Sequence, residues 1–398
     1  MKVGALLRHG SIANGRLRGI RSRLICVGFV ALVQIHRALA SPYLPPTDAQ
    51  VLAELPAGAR HATVPARALA SARLDVALPL AQFDISRARA TGDLRFLGYA
   101  EAILSPWMQQ HPVSPQVLVL HATILQSRHA FNAALVELDS ALKDRPDDAQ
   151  GWLTRATVLR VLGRYDEAMS SCEHLAAAAD SAITSLCVQS LLGLTGHLSS
   201  AYAALSSMSA QDLPPEARAW RYSELGEMAE RLGNDEAAEH WFRAGLQLAP
   251  QDFYMRSACA DVFLRHGRAA ETLQLLAGYE SMEPMLLRVA IAHSELRDGA
   301  GLKANDQLST AFDVEQRRGD SVHRREQARF LLDIVKQPVD ALQAAQENWK
   351  GQREPDDLLI LLRAAQAAHR PQAAGDARRF LAQTGLEDSR LDPYRDAP

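Results

Sequence analysis

An all-α solenoid of helix–turn–helix units is the fold class this sequence predicts, on three observations. First, residues 81–182 repeat every 34 residues. Counting from Ala81, Pro115 and Ala149 puts Ala88, Ala122 and Ala156 at position 8 and Ala100, Ala134 and Ala168 at position 20. Second, aromatic content is only 6% and the chain is rich in Ala, Leu, Arg, Glu and Gln, which favour helix. Third, no run of alternating β-branched residues marks a strand. One helix pair of this length cannot bury its apolar face alone, so neighbours must stack. The 398 residues therefore read as one elongated array rather than several compact domains.

Residues 1–40 read as a secretory signal. Arg16, Arg18, Arg21 and Arg23 precede an apolar run at 24–35, and Ala38 and Ala40 supply the small residues of a cleavage site before Ser41. The run is too short to span a bilayer as a helix, so no stable membrane insertion is expected after cleavage following Ala40. Loss of seven basic residues leaves 36 basic against 46 acidic, a formal charge of −10. That balance argues against nucleic acid as a partner. Residues 41–80 read as a Pro-rich leader with a capping helix at 63–80.

Units beginning at 81, 115 and 149 form the first firm array, and a fourth beginning at 182 carries Gln189 at position 8. Pro214 and Pro215 then interrupt the helix pattern and predict a bend after the 81–215 array. A second array at 216–286 restores the register through Tyr222, Leu225, Gly226, Ala238, Phe242 and Pro250, then Ala260, Phe263, Gly267 and Leu276, with Thr272 at position 20. In 287–386 the pattern degrades, because Ser294 and Asp306 stand where small apolar residues belong. Residues 387–398 read as a fraying polar tail. Three cysteines follow the signal. Cys172 and Cys187 fall on helices expected to be neighbours, which leaves open a disulfide or two small buried hydrophobes.

The third unit reads Trp152, Ala156, Leu159, Gly163, Tyr165, Ala168 and Cys172, and the second ends on Pro146 at position 32. These residues resemble the tetratricopeptide repeat family, whose pattern is W-x2-L-G-x2-Y, then A-x3-F, then P. Small residues at positions 8 and 20 let helices A and B approach, and larger ones at 4, 11, 17 and 24 fill the space around that contact. The resemblance implies a concave face lined by positions 2, 5, 9 and 12 of helix A. Those positions hold Ile85 and Arg89, then Val119 and Thr123, then Leu153, Thr157 and Arg160, then Trp220, Ser223, Glu227 and Glu230, then Tyr254 and Asp261.

Trp220 and Tyr254 are the candidate partner contacts, since aromatics anchor interfaces at low entropy cost. Packing against a neighbouring helix is their plain alternative. Glu224, Glu227 and Glu230 form an acidic trio that either meets a basic partner or makes a solvated face. Arg89 and Arg160 are candidate carboxylate contacts. Some relatives hold a C-terminal carboxylate with Lys at position 5 and Asn at position 9; Ile85/Arg89, Val119/Thr123 and Leu153/Thr157 depart from that pair.

The chain has no H-E-x-x-H, paired-Cys metal spacing, G-x-S-x-G or phosphate-binding Gly-rich loop. Ser140 and Lys143 form an isolated S-x-x-K without its usual companions. No catalytic residue, metal or cofactor is expected. The expected function is a non-catalytic, periplasmic or secreted scaffold that binds a protein partner in its groove. A glycan-associated export module and an enzyme with a site after residue 287 are the alternatives.

Overall fold

The computed structural model describes residues 72–209, 211, 213–318 and 322–395. The signal expected at residues 1–40, the leader up to residue 71 and the last three residues lie outside the described residues. The described residues form helix pairs with no strand. In order the helices are α1 (Leu74–Thr91), α2 (Arg95–Met108), α3 (Pro115–Ser127), α4 (Phe131–Asp144), α5 (Ala149–Val161), α6 (Tyr165–Leu175), α7 (Ser181–Leu192) and α8 (Leu198–Ser207). Next come α9 (Pro215–Arg231), α10 (Asp235–Leu248), α11 (Phe253–Arg265), α12 (Ala269–Leu276), α13 (Glu283–Leu296) and α14 (Gly301–Arg318). The last are α15 (Arg324–Phe330, extended by a π-turn Leu331–Val335), α16 (Pro338–Trp349), α17 (Pro355–Ala367), α18 (Gly375–Thr384) and α19 (Asp392–Arg395). The architecture is a tetratricopeptide-like α–α superhelix. None of these helices is long and apolar enough to cross a membrane.

Within each pair the small residues meet as their spacing requires. Ala88, Ala100, Ala122, Ala134, Ala156, Ala168, Ala201, Ala238 and Ala260 are all buried. Gly226 is also obligatory, because a Cβ there would enter the ring of Phe242. Thr272 is tolerated at position 20 because its buried hydroxyl donates to the Arg268 carbonyl 3.3 Å away.

The turn between helices A and B also repeats. Position 15 lies in the left-handed region at His129, Gly163, Gly196, Gly233 and Gly267, with φ between 58° and 80°. The following residue donates its N–H to the carbonyl five residues back, as Arg164 does to Leu159 and Asn234 to Ala229. This is the Schellman end of an α-helix, which glycine enters without a Cβ penalty.

Some expectations hold and others need correction. In the helix pair after residue 282 the repeat pattern is irregular: α13 starts at Glu283, Ala290 and Ala304 are buried and Gly301 packs on His293, while Ser294, Leu302 and Asp306 are exposed. Pro214 and Pro215 do separate α8 from α9, as expected, and the core continues past them, since Leu213 is buried with Leu205, Ala217 and Leu225. Cys172 and Cys187 are joined by a disulfide between α6 and α7. The first helix begins at Leu74 and runs through position 81.

The polar tail does not fray through residue 394. Leu391 is fully buried, the Glu387 carboxylate accepts the Leu198 N–H at 2.7 Å, and Arg390 pairs with Glu230, Asp356 and Asp388. The whole C-terminal stretch docks along the A–B turns of the earlier pairs. Gln352 reaches His129, the Arg353 N–H bonds the Val161 carbonyl, Phe380 packs on Gly163, Gly385 on Gly196, and Ser389 on Gly233. One apolar core therefore joins Val119, Leu159 and Leu191 to Trp349, Leu361 and Phe380. At the other end Gly92 packs on Met282, so the superhelix returns upon itself and encloses a bore.

Candidate functional site

Only part of the expected inward set opens onto two adjoining cavities: Ile85, Val119 and Thr123 are instead buried, and Arg160 lines neither. The larger, about 910 Å³, is walled by Glu227, Glu230, Tyr254, Asp261 and Leu264, with Arg288, Arg329 and Arg390 opposite. The smaller, about 590 Å³, is walled by Arg89, Gln126, Gln150, Leu153, Thr157 and Trp220. Tyr254, Arg325, Glu326 and Glu354 belong to both walls. Both volumes fall in the range of ligand-holding clefts.

The larger cavity is lined by ion pairs that stitch successive helices together. Glu230 pairs with Arg265 and, at 3.0 Å, with Arg390. Asp261 binds Arg288 at 2.5 Å and Arg329 at 2.7 Å; Asp333 binds Arg363 at 2.7 Å. Burial opposes the charge on Asp261, but Arg288 and Arg329 hold its carboxyl below the usual range. Burial raises Glu230 despite Arg390 and Arg265. Positive and negative groups alternate through the wall, so its field is largely spent internally.

Four of the five sequence-predicted site residues meet in one cluster. Arg160 of α5 pairs with Glu224 and, at 3.4 Å, with Glu227, both on α9. The Trp220 indole donates to Glu224 Oε1 at 2.9 Å, and the Tyr254 hydroxyl donates to Glu227 Oε1 at 2.9 Å. Trp220 is half-buried and packs on both neighbouring cores, whereas Tyr254 keeps 44% of its surface accessible, facing the cavities. Glu224 and Glu230 are 3% and 7% exposed, which corrects the solvated acidic face: the trio turns inward onto arginines. Burial raises the Glu227 carboxyl and the neighbouring Glu224 charge raises it further, to about 7, in spite of Arg160.

Arg89, the fifth, stands apart from the cluster. It lines the smaller cavity and is exposed there, with no ion pair among the described residues. Beside that cavity His129 is pushed down to about 4 by burial and by the charge of Arg325. Arg325 itself approaches Glu326, Asp357 and Glu354 only at 3.5, 3.6 and 3.9 Å.

Sequence reasoning missed Arg325, Glu326 and Glu354, which lie beyond the regular repeats and carry no periodic signal. The region after residue 287 does hold a buried carboxyl, Asp357, raised to about 7 by burial and by Glu354 against Arg325. Its Oδ1 accepts the Asn348 amide at 2.8 Å and its Oδ2 the Glu354 N–H at 2.9 Å, which makes it a helix cap rather than a base facing substrate.

No family model matches this chain, and no curated protein does either. Among solved structures it is similar to the TPR domain of P58(IPK), at 15% identity over 71% of this chain and 96% of that one, TM-score 0.25. It is similar to PilW, a widely conserved type IV pilus biogenesis factor, at 16% identity over 70% and 97%, TM-score 0.30. A third is PilF of Pseudomonas aeruginosa, at 13% identity over 83% and 98%, TM-score 0.27. At such TM-scores these likenesses carry no argument about the path of the superhelix or the role of the chain.

Proposed function

We propose that this protein is a non-catalytic interaction scaffold of the bacterial cell envelope that holds a short segment of a protein partner within its bore. The observation that carries the reading is the convergence of residues at A-helix positions 2, 5, 9 and 12 from separate repeats on two adjoining cavities with a shared wall. Such a wall offers modest contacts from several repeats rather than one reactive centre. Trp220, Arg160 and Glu227 hold each other in place, and Tyr254 presents its free ring face. Arg89 supplies the unspent charge, and Gln126 and Gln150 supply amides. The Cys172–Cys187 disulfide supports an oxidising compartment such as the periplasm.

Placing a photo-crosslinking residue at Gln126, inside the smaller cavity, and at Val136, 71% exposed on the outer surface, tests the reading in envelope extract. A discrete partner adduct is expected from Gln126 and is expected to weaken on Arg89→Met. An adduct formed only from Val136 would move the interface to the outer surface and overturn the bore as the binding site.

A further inference from the structure

Glu283, Glu315 and His323 come together where three helices meet. Glu283 opens α13, Glu315 lies near the end of α14, and His323 caps the start of α15. The Nδ1 atom of His323 is 2.6 Å from Glu315 Oε1 and 3.0 Å from Glu283 Oε2. A ring nitrogen carries at most one hydrogen, directed in the ring plane, so it serves one of these oxygens and not both. Glu283 Oε2 is closed off from solvent and shares that one Nδ1, at 3.0 Å, with Glu315. A proton thus leaves one acceptor of this trio unsatisfied, which is costly for a buried oxygen.

We infer that Glu283, Glu315 and His323 form a binding site for a divalent transition-metal ion of the zinc class. One donor atom from each residue lies within 4.8 Å of the others. An ion bonded at about 2.0–2.2 Å holds its donors about 3.0–3.4 Å apart, so His323 Nδ1 and Glu315 Oε1, now 2.6 Å apart, separate slightly to admit it. One imidazole nitrogen with two carboxylate oxygens suits zinc, manganese, iron or cobalt; thiolate-seeking ions would find no sulfur here, and magnesium or calcium would favour an all-oxygen shell. With a neutral ring the set carries two negative charges, matched to a divalent cation. The three side chains keep 21–27% of their surface accessible, so water completes the coordination and the ion has a way in. Binding replaces the Nδ1 proton by the metal, and that proton is released to solvent.

The ion would fix the start of α15 against α13 and α14. Val322, Arg325 and Glu326 around that start line the cavities, so occupancy of the site sets the edge of the bore.

Cobalt(II) titrated into the purified metal-free protein tests the inference. One equivalent is expected to give the visible d–d absorption of a low-coordinate nitrogen–oxygen site, and one equivalent of zinc is expected to abolish it. Calorimetry in buffers of different ionisation enthalpy is expected to show about one proton released per ion. His323→Ala and Glu315→Gln should each weaken binding by about 100-fold or more, beyond the 10- to 100-fold typical of outer-shell changes. Glu283→Gln keeps the side-chain shape and should weaken binding while leaving the metal-free circular dichroism and melting point unchanged. His121→Ala, which breaks an isolated His–Glu contact to Glu137, should leave binding intact. The site is refuted by a folded protein that binds no cobalt at stoichiometric concentration, or by a spectrum that survives His323→Ala.

Discussion

The A–B turns of the third to fifth pairs and that of the sixth follow one local rule but have different surroundings. Gly163, Gly196, Gly233 and Gly267 all hold positive φ between 66° and 80°. At Gly163 a Cβ would come within 2.7 Å of the Phe380 ring, at Gly233 within 3.1 Å of Ser389 Oγ, and at Gly196 within 3.5 Å of the Gly385 carbonyl. At Gly267 it would meet nothing within 4 Å. Glycine is needed at all four turns for backbone reasons, and at the covered ones it also admits a second layer of chain. A conformational requirement of the repeat has thus become the docking edge for the C-terminal helices.

Two sets of variants sharpen that contrast. Phe380 is buried among Tyr165, Trp349 and the Gly163 turn, so Phe380→Ala is expected to cost about 3–4 kcal/mol in urea unfolding, by transfer and cavity terms together. Removing the side chain of Leu302, 69% exposed, should change stability by under about 0.5 kcal/mol. Among the glycines, Gly163→Ala should cost about 2–3 kcal/mol, Gly233→Ala about 1–2, and Gly196→Ala and Gly267→Ala about 1 each, the last from backbone conformation alone. Equal losses at Gly163 and Gly267 would mean that the edge is not a docking surface.

The same contrast explains what was legible in the sequence. Small residues at positions 8 and 20 and glycines after helix A act between neighbours, so they recur at a fixed period and reveal the pairs. Docking of the C-terminal stretch joins residues about two hundred positions apart, as in Tyr165 with Arg353 and Gln352 with His129, and each contact occurs once. No period marks such contacts. The start at Glu283 was hidden because no single offset relates the two helices to a register carried forward from residue 253: Ala290 precedes Ser294 by four residues, whereas Gly301 and Ala304 precede Asp306 by five and two. At the site, inward positions identified Arg160, Trp220, Glu227 and Tyr254 as a set. Their pairing across one intervening helix pair depends on superhelical curvature, which one sequence does not carry.

A further contrast separates the bore from the edge by acidity. Glu227 faces Glu224, Arg160, Ser223 and Tyr254, and its carboxyl is raised from 4.5 to about 7 by burial first and Glu224 second. A carboxyl raised on folding binds its proton more tightly in the native state than in the unfolded chain. Stability from this group is therefore present at low pH and is lost as pH rises from about 4.5 through about 7, then stays level. Asp357 acts in the same sense, and His129, pushed down to about 4, acts in the opposite sense between about 4 and 6.5. The wild-type curve mixes these with other shifted groups such as Glu230, so the difference from Glu227→Gln isolates one. Gln keeps an oxygen for the Tyr254 hydroxyl but cannot ionise. Across pH 4.5 to 7 the variant should gain on the order of 1–2 kcal/mol relative to wild type, measured by urea midpoints at fixed ionic strength. Phe380→Ala should show a loss that does not change over the same range, because apolar burial carries no proton. A flat Glu227→Gln difference would mean that Arg160 keeps Glu227 ionised throughout and that the bore wall is insensitive to pH.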